Sequence, residues 1–158
     1  MQRILMVCLG NICRSPVAEG IMRDKIKKYG IKARVDSAGT ADFHVGESPD
    51  SRSYENALEK GIDISSLRAR QFKREDFDAF DRIYVMDKSN YTNVTAMSRT
   101  MDDTAKVKLI LDEIPGIKGK SVPDPYFGGA KGFDTVFNLL NDACEVIATD
   151  IKKQESEQ

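Results

Sequence analysis

The chain is 158 residues long, enough for one domain with a substantial core and too short for two ordinary ones. Its 24 Lys and Arg oppose 25 Asp and Glu, a formal charge of −1, so no overall positive field exists to hold a nucleic-acid backbone and general nucleic-acid binding is excluded. With 41% hydrophobic residues and no apolar run near the roughly 20 residues of a membrane span, the composition is that of a soluble globular protein with no membrane partner.

The N-terminal segment lacks a signal-peptide pattern, because Gly10 and Asn11 interrupt its apolar stretch, and a cytoplasmic location is expected. Ile4-Leu5-Met6-Val7 is a short continuous apolar run, which predicts a strand covered on both faces, as in a parallel sheet. Ser15-Pro16 is expected to cap and open a helix that carries Val17, Ile21, Lys25 and Tyr29 at intervals of four and ends at Gly30. Ala33-Arg34-Val35-Asp36 reads as a second short strand, and Asp50 to Lys60 as a polar helix stopped by Gly61. A third strand is expected over Arg82-Ile83-Tyr84-Val85-Met86, with Asp87 capping a helix through Tyr91 to about Ser98. Lys106-Val107-Lys108-Leu109 suggests a fourth strand. In the C-terminal helix, from about Phe133 to Ile151, the residues Val136, Phe137, Leu140, Cys144, Ile147 and Ile151 recur every three or four positions, so Cys144 reads as a buried core thiol. One domain over 1–151 is expected, followed by a frayed polar tail over 152–158.

Alternating strands and helices imply parallel pairing through right-handed crossovers, hence an α/β fold: a three-layer α/β/α sandwich around a parallel sheet. Ligands in such folds sit beyond the carboxyl ends of strands. The first of these ends is Val7-Cys8, where the loop between first strand and first helix begins.

That loop reads Cys8-Leu9-Gly10-Asn11-Ile12-Cys13-Arg14-Ser15, or Cys-x5-Arg-Ser. A loop wrapping into a helix N-terminus aims several backbone N–H groups at one point, and with the helix dipole this forms an anion site suited to phosphate. Leu9, Gly10, Asn11, Ile12 and Cys13 would line it. Gly10 and Asn11 are the residue types that most readily take positive φ, letting the backbone curl round an oxyanion. Arg14 offers forked donors to two phosphate oxygens. Such surroundings favour the thiolate of a cysteine at the loop's base, and Ser15 could hydrogen-bond that sulfur. A thiolate facing a bound phosphate monoester points to phosphoryl transfer through a phosphocysteine. Spacing alone leaves another reading open, in which Cys8 packs at a strand end, Arg14 is a surface charge and Gly10-Asn11 is an ordinary turn. The preceding strand and the Ser-Pro helix opening favour the catalytic reading.

A thiolate phosphatase also needs an acid to protonate the leaving oxygen. Among many carboxylates the candidate is Asp124, in Val122-Pro123-Asp124-Pro125-Tyr126, where two prolines fix the backbone. A turn aspartate is the alternative, and chain distance cannot place it near Cys8. Gly119-Lys120-Ser121 lacks the glycine five residues earlier that a nucleotide-binding loop requires, since Ile114 stands there. The one histidine, His44, lies in a polar loop and reads as solvated or structural. Without a Cys-x2-Cys pair the chain offers no recognisable metal-ligand set, and no cofactor is expected.

At this point the chain resembles the low-molecular-weight protein tyrosine phosphatases, in their bacterial form, over nearly its whole length. V-C-L-G-N-I-C-R-S-P at 7–16 is similar to the family's N-terminal signature, V-D-S-A-G-T at 35–40 to its second strand and following loop, and V-P-D-P-Y-F-G-G at 122–129 to its acid loop. The resemblance implies a four-stranded parallel sheet, Cys8 as nucleophile, Arg14 as phosphate ligand, Asp124 as general acid and then base, and Ser15 assisting the thiolate. It further implies that Asn11 and Ser37 hold the loop's shape, and that Phe43 and Tyr126 wall the substrate crevice. Ile12 matches the family's tyrosine phosphatases, whereas related protein-arginine phosphatases carry threonine there. Two positions depart from the pattern: Leu67 stands where many relatives have a histidine supporting the loop, and Tyr126-Phe127 replaces a pair of tyrosines.

The expected partners are phosphotyrosine-containing proteins, by analogy a bacterial tyrosine kinase of polysaccharide export, and the expected assembly is a monomer or weak dimer. A reversible Cys8–Cys13 disulfide is expected to guard the nucleophile. A thiol-dependent arsenate reductase would need cysteines in mid-chain, and none lies between Cys13 and Cys144. A silent phosphate-binding module would leave the joint presence of nucleophile, arginine, serine and acid unexplained.

Overall fold

The computed structural model describes residues 1–126 and 128–158. Four parallel strands form one sheet: β1 (Gln2–Cys8), β2 (Ala33–Gly39), β3 (Arg82–Val85) and β4 (Val107–Leu109), in the order β2-β1-β3-β4. The connections are helical: α1 (Arg14–Tyr29), α2 (Ser51–Glu59), α3 (Asp76–Ala79), α4 (Lys88–Thr95), α5 (Met101–Ala105) and α6 (Ala130–Ser156), with a 3-10 turn at Ile110–Glu113.

The apolar run in β1 covers both faces because its alternate side chains enter different cores. Ile4, Met6 and Cys8 join Val17 and Ile21 of α1 and Leu140, Cys144 and Ile147 of α6. Leu5 and Val7 join Ile83 and Val85 of β3, Phe72, Phe77 and Val94. The expected α/β sandwich is therefore what forms. Cys144 is a fully buried thiol whose ionisation burial pushes up to about 12, as a packing residue requires.

Two terminal assignments differ from expectation. Ser15 does not cap α1; it is the helix's second residue, and the cap is Cys13 with no side-chain bond. The Ser15 hydroxyl is engaged instead by Cys8 and Asn11. Pro16 still falls in the first turn, where the missing N–H has no intrahelical partner to lose. Residues 152–156 do not fray but extend α6 to Ser156. They are tied down: the Lys32 N–H donates to Glu155 at 2.7 Å, and Arg82 reaches Gln154 at 3.4 Å. Asp87 caps α4 as expected, within a capping box with Asn90, and Asp50, expected as the start of a helix, is the N-cap of α2.

At Gly20, α1 packs closely against the segment after α2. A Cβ there would stand 2.5 Å from Ile64 Cγ2 and 2.8 Å from Ile62 Cγ2. Alanine would gain about 1 kcal/mol of helix propensity, but overpacking costs about 1–3 kcal/mol. Gly20→Ala is expected to lower the thermal midpoint followed by circular dichroism; a raised midpoint would mean that the 62–64 segment yields.

Candidate active site

The chain passes from β1 to β2 on one side and later to β3 on the other, so a crevice opens at the carboxyl ends of β1 and β3. Cys8 ends β1 there, buried, and the loop 9–13 leads directly into α1. Asn11 takes φ 57°, in the left-handed region. Gly10 does not, contrary to expectation. Its lack of a side chain serves proximity instead: a Cβ would stand 3.0 Å from Cδ2 of His44. Gly39, at the end of β2, faces the same loop, and a Cβ on it would lie 2.7 Å from the Leu9 carbonyl oxygen. The Thr40 and Ala41 N–H groups donate to the Cys8 and Leu9 carbonyls, both at 2.9 Å, fixing the loop's first half to the sheet.

Asn11 is the hub of a buried network. Its Nδ2 donates to Ser15 Oγ at 2.7 Å and to Ser37 Oγ at 2.9 Å, while its Oδ1 accepts the Arg70 N–H at 3.0 Å. Ser15 Oγ lies 3.0 Å from Cys8 Sγ, and the Asn11 N–H donates to the same sulfur at 3.3 Å. Ser37 in turn donates to Glu19 Oε1 at 2.6 Å. Burial raises the Glu19 carboxyl above the usual carboxylate range, against the lowering effect of Ser37. Leu67 is half-buried against the core. The Asn11 carbonyl finds its donor in the Arg70 backbone, whose side chain is braced by Asp76 at 3.1 Å and Asp36 at 3.2 Å.

Arg14 is 2% exposed. Its Nη1 donates to Asp87 Oδ2 at 2.7 Å and to the Val122 carbonyl at 3.1 Å, and its Nη2 lies 3.8 Å from Asp124 Oδ2. Burial disfavours its charge, but Cys8, Asp87 and Asp124 together hold the guanidinium's proton above its ordinary affinity. Asp124, 110 positions beyond Arg14, thus arrives at the mouth of the crevice, with its Oδ1 accepting the Tyr126 N–H at 3.0 Å. Leu9, Gly10, Ile12, Cys13, Phe43 and Tyr126 line the same cleft as Cys8, Arg14 and Asp124. Phe43 is well exposed and Tyr126 partly so. Burial first, then the nearby Asp50, pushes the Cys13 thiol up to about 12.

Every candidate residue thus converges on one cleft or on the network directly behind it. Three neighbours escaped the sequence reading as parts of the site. Asp87 was legible only as a helix cap, although its place at the carboxyl end of a parallel strand is itself a signal. Glu19 lies one helical turn beyond Ser15, where a buried carboxylate has no sequence signature. His44 lines the cleft, its Nδ1 2.8 Å from Glu47 Oε2. Phe127, read as replacing a second tyrosine, lies outside the described residues. Among the described residues no cluster of His, Cys, Asp or Glu is arranged to hold a metal ion, and no helix is long and apolar enough to cross a membrane. The cleft combines a thiol, a buried cation and a carboxylate around the loop 9–13, a set suited to nucleophilic attack on a phosphate ester.

The model of the low molecular weight phosphotyrosine protein phosphatase family matches residues 3–157. The slr0328 protein of Synechocystis is 46% identical over 154 residues, covering 96% of this chain and 98% of its own. A protein tyrosine phosphatase of Entamoeba histolytica superposes with a TM-score of 0.90 at 38% identity, covering 100% of both chains. Wzb of Vibrio vulnificus, solved in complex with benzylphosphonate, superposes with a TM-score of 0.83 at 28% identity, over 94% of this chain and 98% of that one. The chain belongs to the low molecular weight phosphotyrosine protein phosphatase family.

Proposed function

We propose that this phosphatase hydrolyses phosphotyrosine and other aryl phosphate monoesters through a phosphocysteine on Cys8. The observation that carries this reading is the meeting of Cys8, Arg14 and Asp124 at one cleft, with the Ser15 hydroxyl 3.0 Å from the sulfur. The likeness to a benzylphosphonate-binding protein supports an aryl substrate, as do the aromatic walls Phe43 and Tyr126. The three cysteines are free, which suits a reducing, cytoplasmic compartment.

In the proposed reaction the loop's N–H groups and Arg14 hold the phosphoryl oxygens, drawing the phosphorus up to Cys8. The thiolate attacks phosphorus, and the bond to the phenolic oxygen breaks. Asp124, protonated, gives its proton to that oxygen, so a neutral phenol departs. The resulting Asp124 carboxylate then takes a proton from water, which attacks the phosphocysteine. Phosphate leaves, and the departing thiolate is stabilised by Ser15 and the Asn11 N–H. Asn11, Ser37 and Glu19 hold the loop in shape, and Asp87 holds Arg14 in place. A phosphotyrosine-bearing protein, such as a tyrosine kinase of polysaccharide export, is the proposed substrate. Capture by a Cys8→Ser trap tests that assignment.

Cys8→Ser is expected to abolish turnover of phenyl phosphate, while the parent enzyme keeps full activity in a chelator. Residual turnover comparable to the parent would overturn the nucleophile assignment. For Asp124→Ala, kcat/KM is expected to fall about 10²–10⁴-fold with phenyl phosphate and far less with dinitrophenyl phosphate, whose leaving group needs no proton. Equal losses would remove Asp124 from the acid role.

The proposed redox guard uses the same cleft. Peroxide oxidises the Cys8 thiolate to a sulfenic acid, and the Cys13 thiol condenses with it, forming a disulfide and releasing water. Peroxide-treated parent is expected to recover with dithiothreitol, whereas Cys13→Ser is expected to lose activity for good at lower peroxide. Equal recovery of both would remove Cys13 from this role.

A further inference from the structure

Arg52 is not among the residues that line the cleft, yet it links the phosphate loop to Tyr126 of the proposed acid loop. The Asp50 N–H donates to the Ile12 carbonyl at 2.8 Å, which anchors the start of α2 to the phosphate loop. The Asp50 carboxylate then accepts Arg52 Nε and Nη2, both at 3.1 Å, and the Arg52 N–H at 2.9 Å. This fork fixes the plane of the guanidinium as well as its position. The guanidinium carbon lies 5.2 Å from the centroid of the Tyr126 ring and 5.0 Å from that of Phe133, within cation–π range of both. Tyr126 in turn donates its N–H to Asp124 Oδ1 at 3.0 Å.

The acid loop has a firm point before Asp124, where the Val122 N–H donates to the Met86 carbonyl at 2.7 Å and its own carbonyl accepts Arg14. After Tyr126 the chain reaches α6 through Gly128 and Gly129, which restrict the backbone least. In this second half the Gly128 N–H donates to the Pro125 carbonyl at 2.9 Å, and the Tyr126 ring rests against the Arg52 guanidinium.

We propose that Arg52 is a positioning residue for the proton-transfer step: held to the phosphate loop by Asp50, its guanidinium seats Tyr126 and through it sets Asp124 over the leaving oxygen. This rests on the reading of Asp124 as the general acid. A substrate-binding role would instead act on affinity, and a purely structural role at the start of α2 would affect all substrates alike.

The test compares the parent, Arg52→Lys, Arg52→Met, Asp124→Ala and the Arg52→Met/Asp124→Ala double variant. Arg52→Met keeps the aliphatic stem and loses the cation; Arg52→Lys keeps the charge and loses the planar fork. For Arg52→Met, kcat/KM with phenyl phosphate is expected to fall about five- to thirtyfold, in line with two lost cation–π contacts. With dinitrophenyl phosphate it should change less than about twofold, and inhibition by inorganic phosphate should be unchanged. Arg52→Lys should fall between the two. In the Asp124→Ala background, Arg52→Met should cost nothing further. Equal losses with both substrates, weaker phosphate inhibition, or an additional loss in the double variant would overturn the proposal. If Asp124→Ala depends on the leaving group and Arg52→Met does not, only the Arg52 proposal falls. If Asp124→Ala itself shows no such dependence, the acid reading falls with it.

Discussion

The constraint that organises this molecule is the burial of the Arg14 guanidinium. A charge so nearly removed from water is tolerated only when fixed partners replace its hydration, and these partners come from two segments far from Arg14 in the chain. Asp87 supplies the counter-charge from the end of β3, Val122 a carbonyl from the acid loop, and Asp124 a second, more distant carboxylate. Satisfying one cation therefore brings together the first helix, the third strand and a loop near the start of the last helix. On the proposed mechanism, the requirements of stability and of catalysis coincide at this group.

Behind the cation, the shape of the anion loop is set by polar contacts within the apolar interior. Asn11 holds a left-handed conformation because its amide is satisfied on every side, by Ser15, Ser37 and the Arg70 backbone. Low surrounding dielectric strengthens such contacts when they are complete and makes any gap costly. Leu67 packs against the core, and Asn11 is braced from the Arg70 backbone, whose side chain Asp36 and Asp76 hold.

The elements most legible in the sequence were those governed by local rules. Ile4 to Val7 announced a buried strand, Asp50 and Asp87 announced helix starts, and the spacing in α6 announced Cys144 as core. The short helices α3 and α5 carried no periodicity long enough to read. A serine before a proline satisfies the local rule for a helix cap, so the sequence points to Ser15 as one, and only the approach of β2 and Asn11 decides where its hydroxyl goes. Residue type points to a backbone role for Gly10, but its constraint is the His44 ring, a contact between residues that no local pattern joins. Asp87 and Glu19 stayed hidden for the same reason: a counter-ion is defined by what it faces.

The bridge from Arg14 to Val122, 108 residues apart in the chain, also bears on when the enzyme comes into being during synthesis. The thiol, the anion loop and the first helix are all encoded at the beginning, and β2 closes over them soon after. The carboxylate at Asp124 emerges only in the last quarter of the chain, and the helix that follows it must still dock against α1. On the proposed mechanism, a growing chain thus acquires the thiol and its loop long before it acquires the proposed general acid, and turnover is the last property to be assembled.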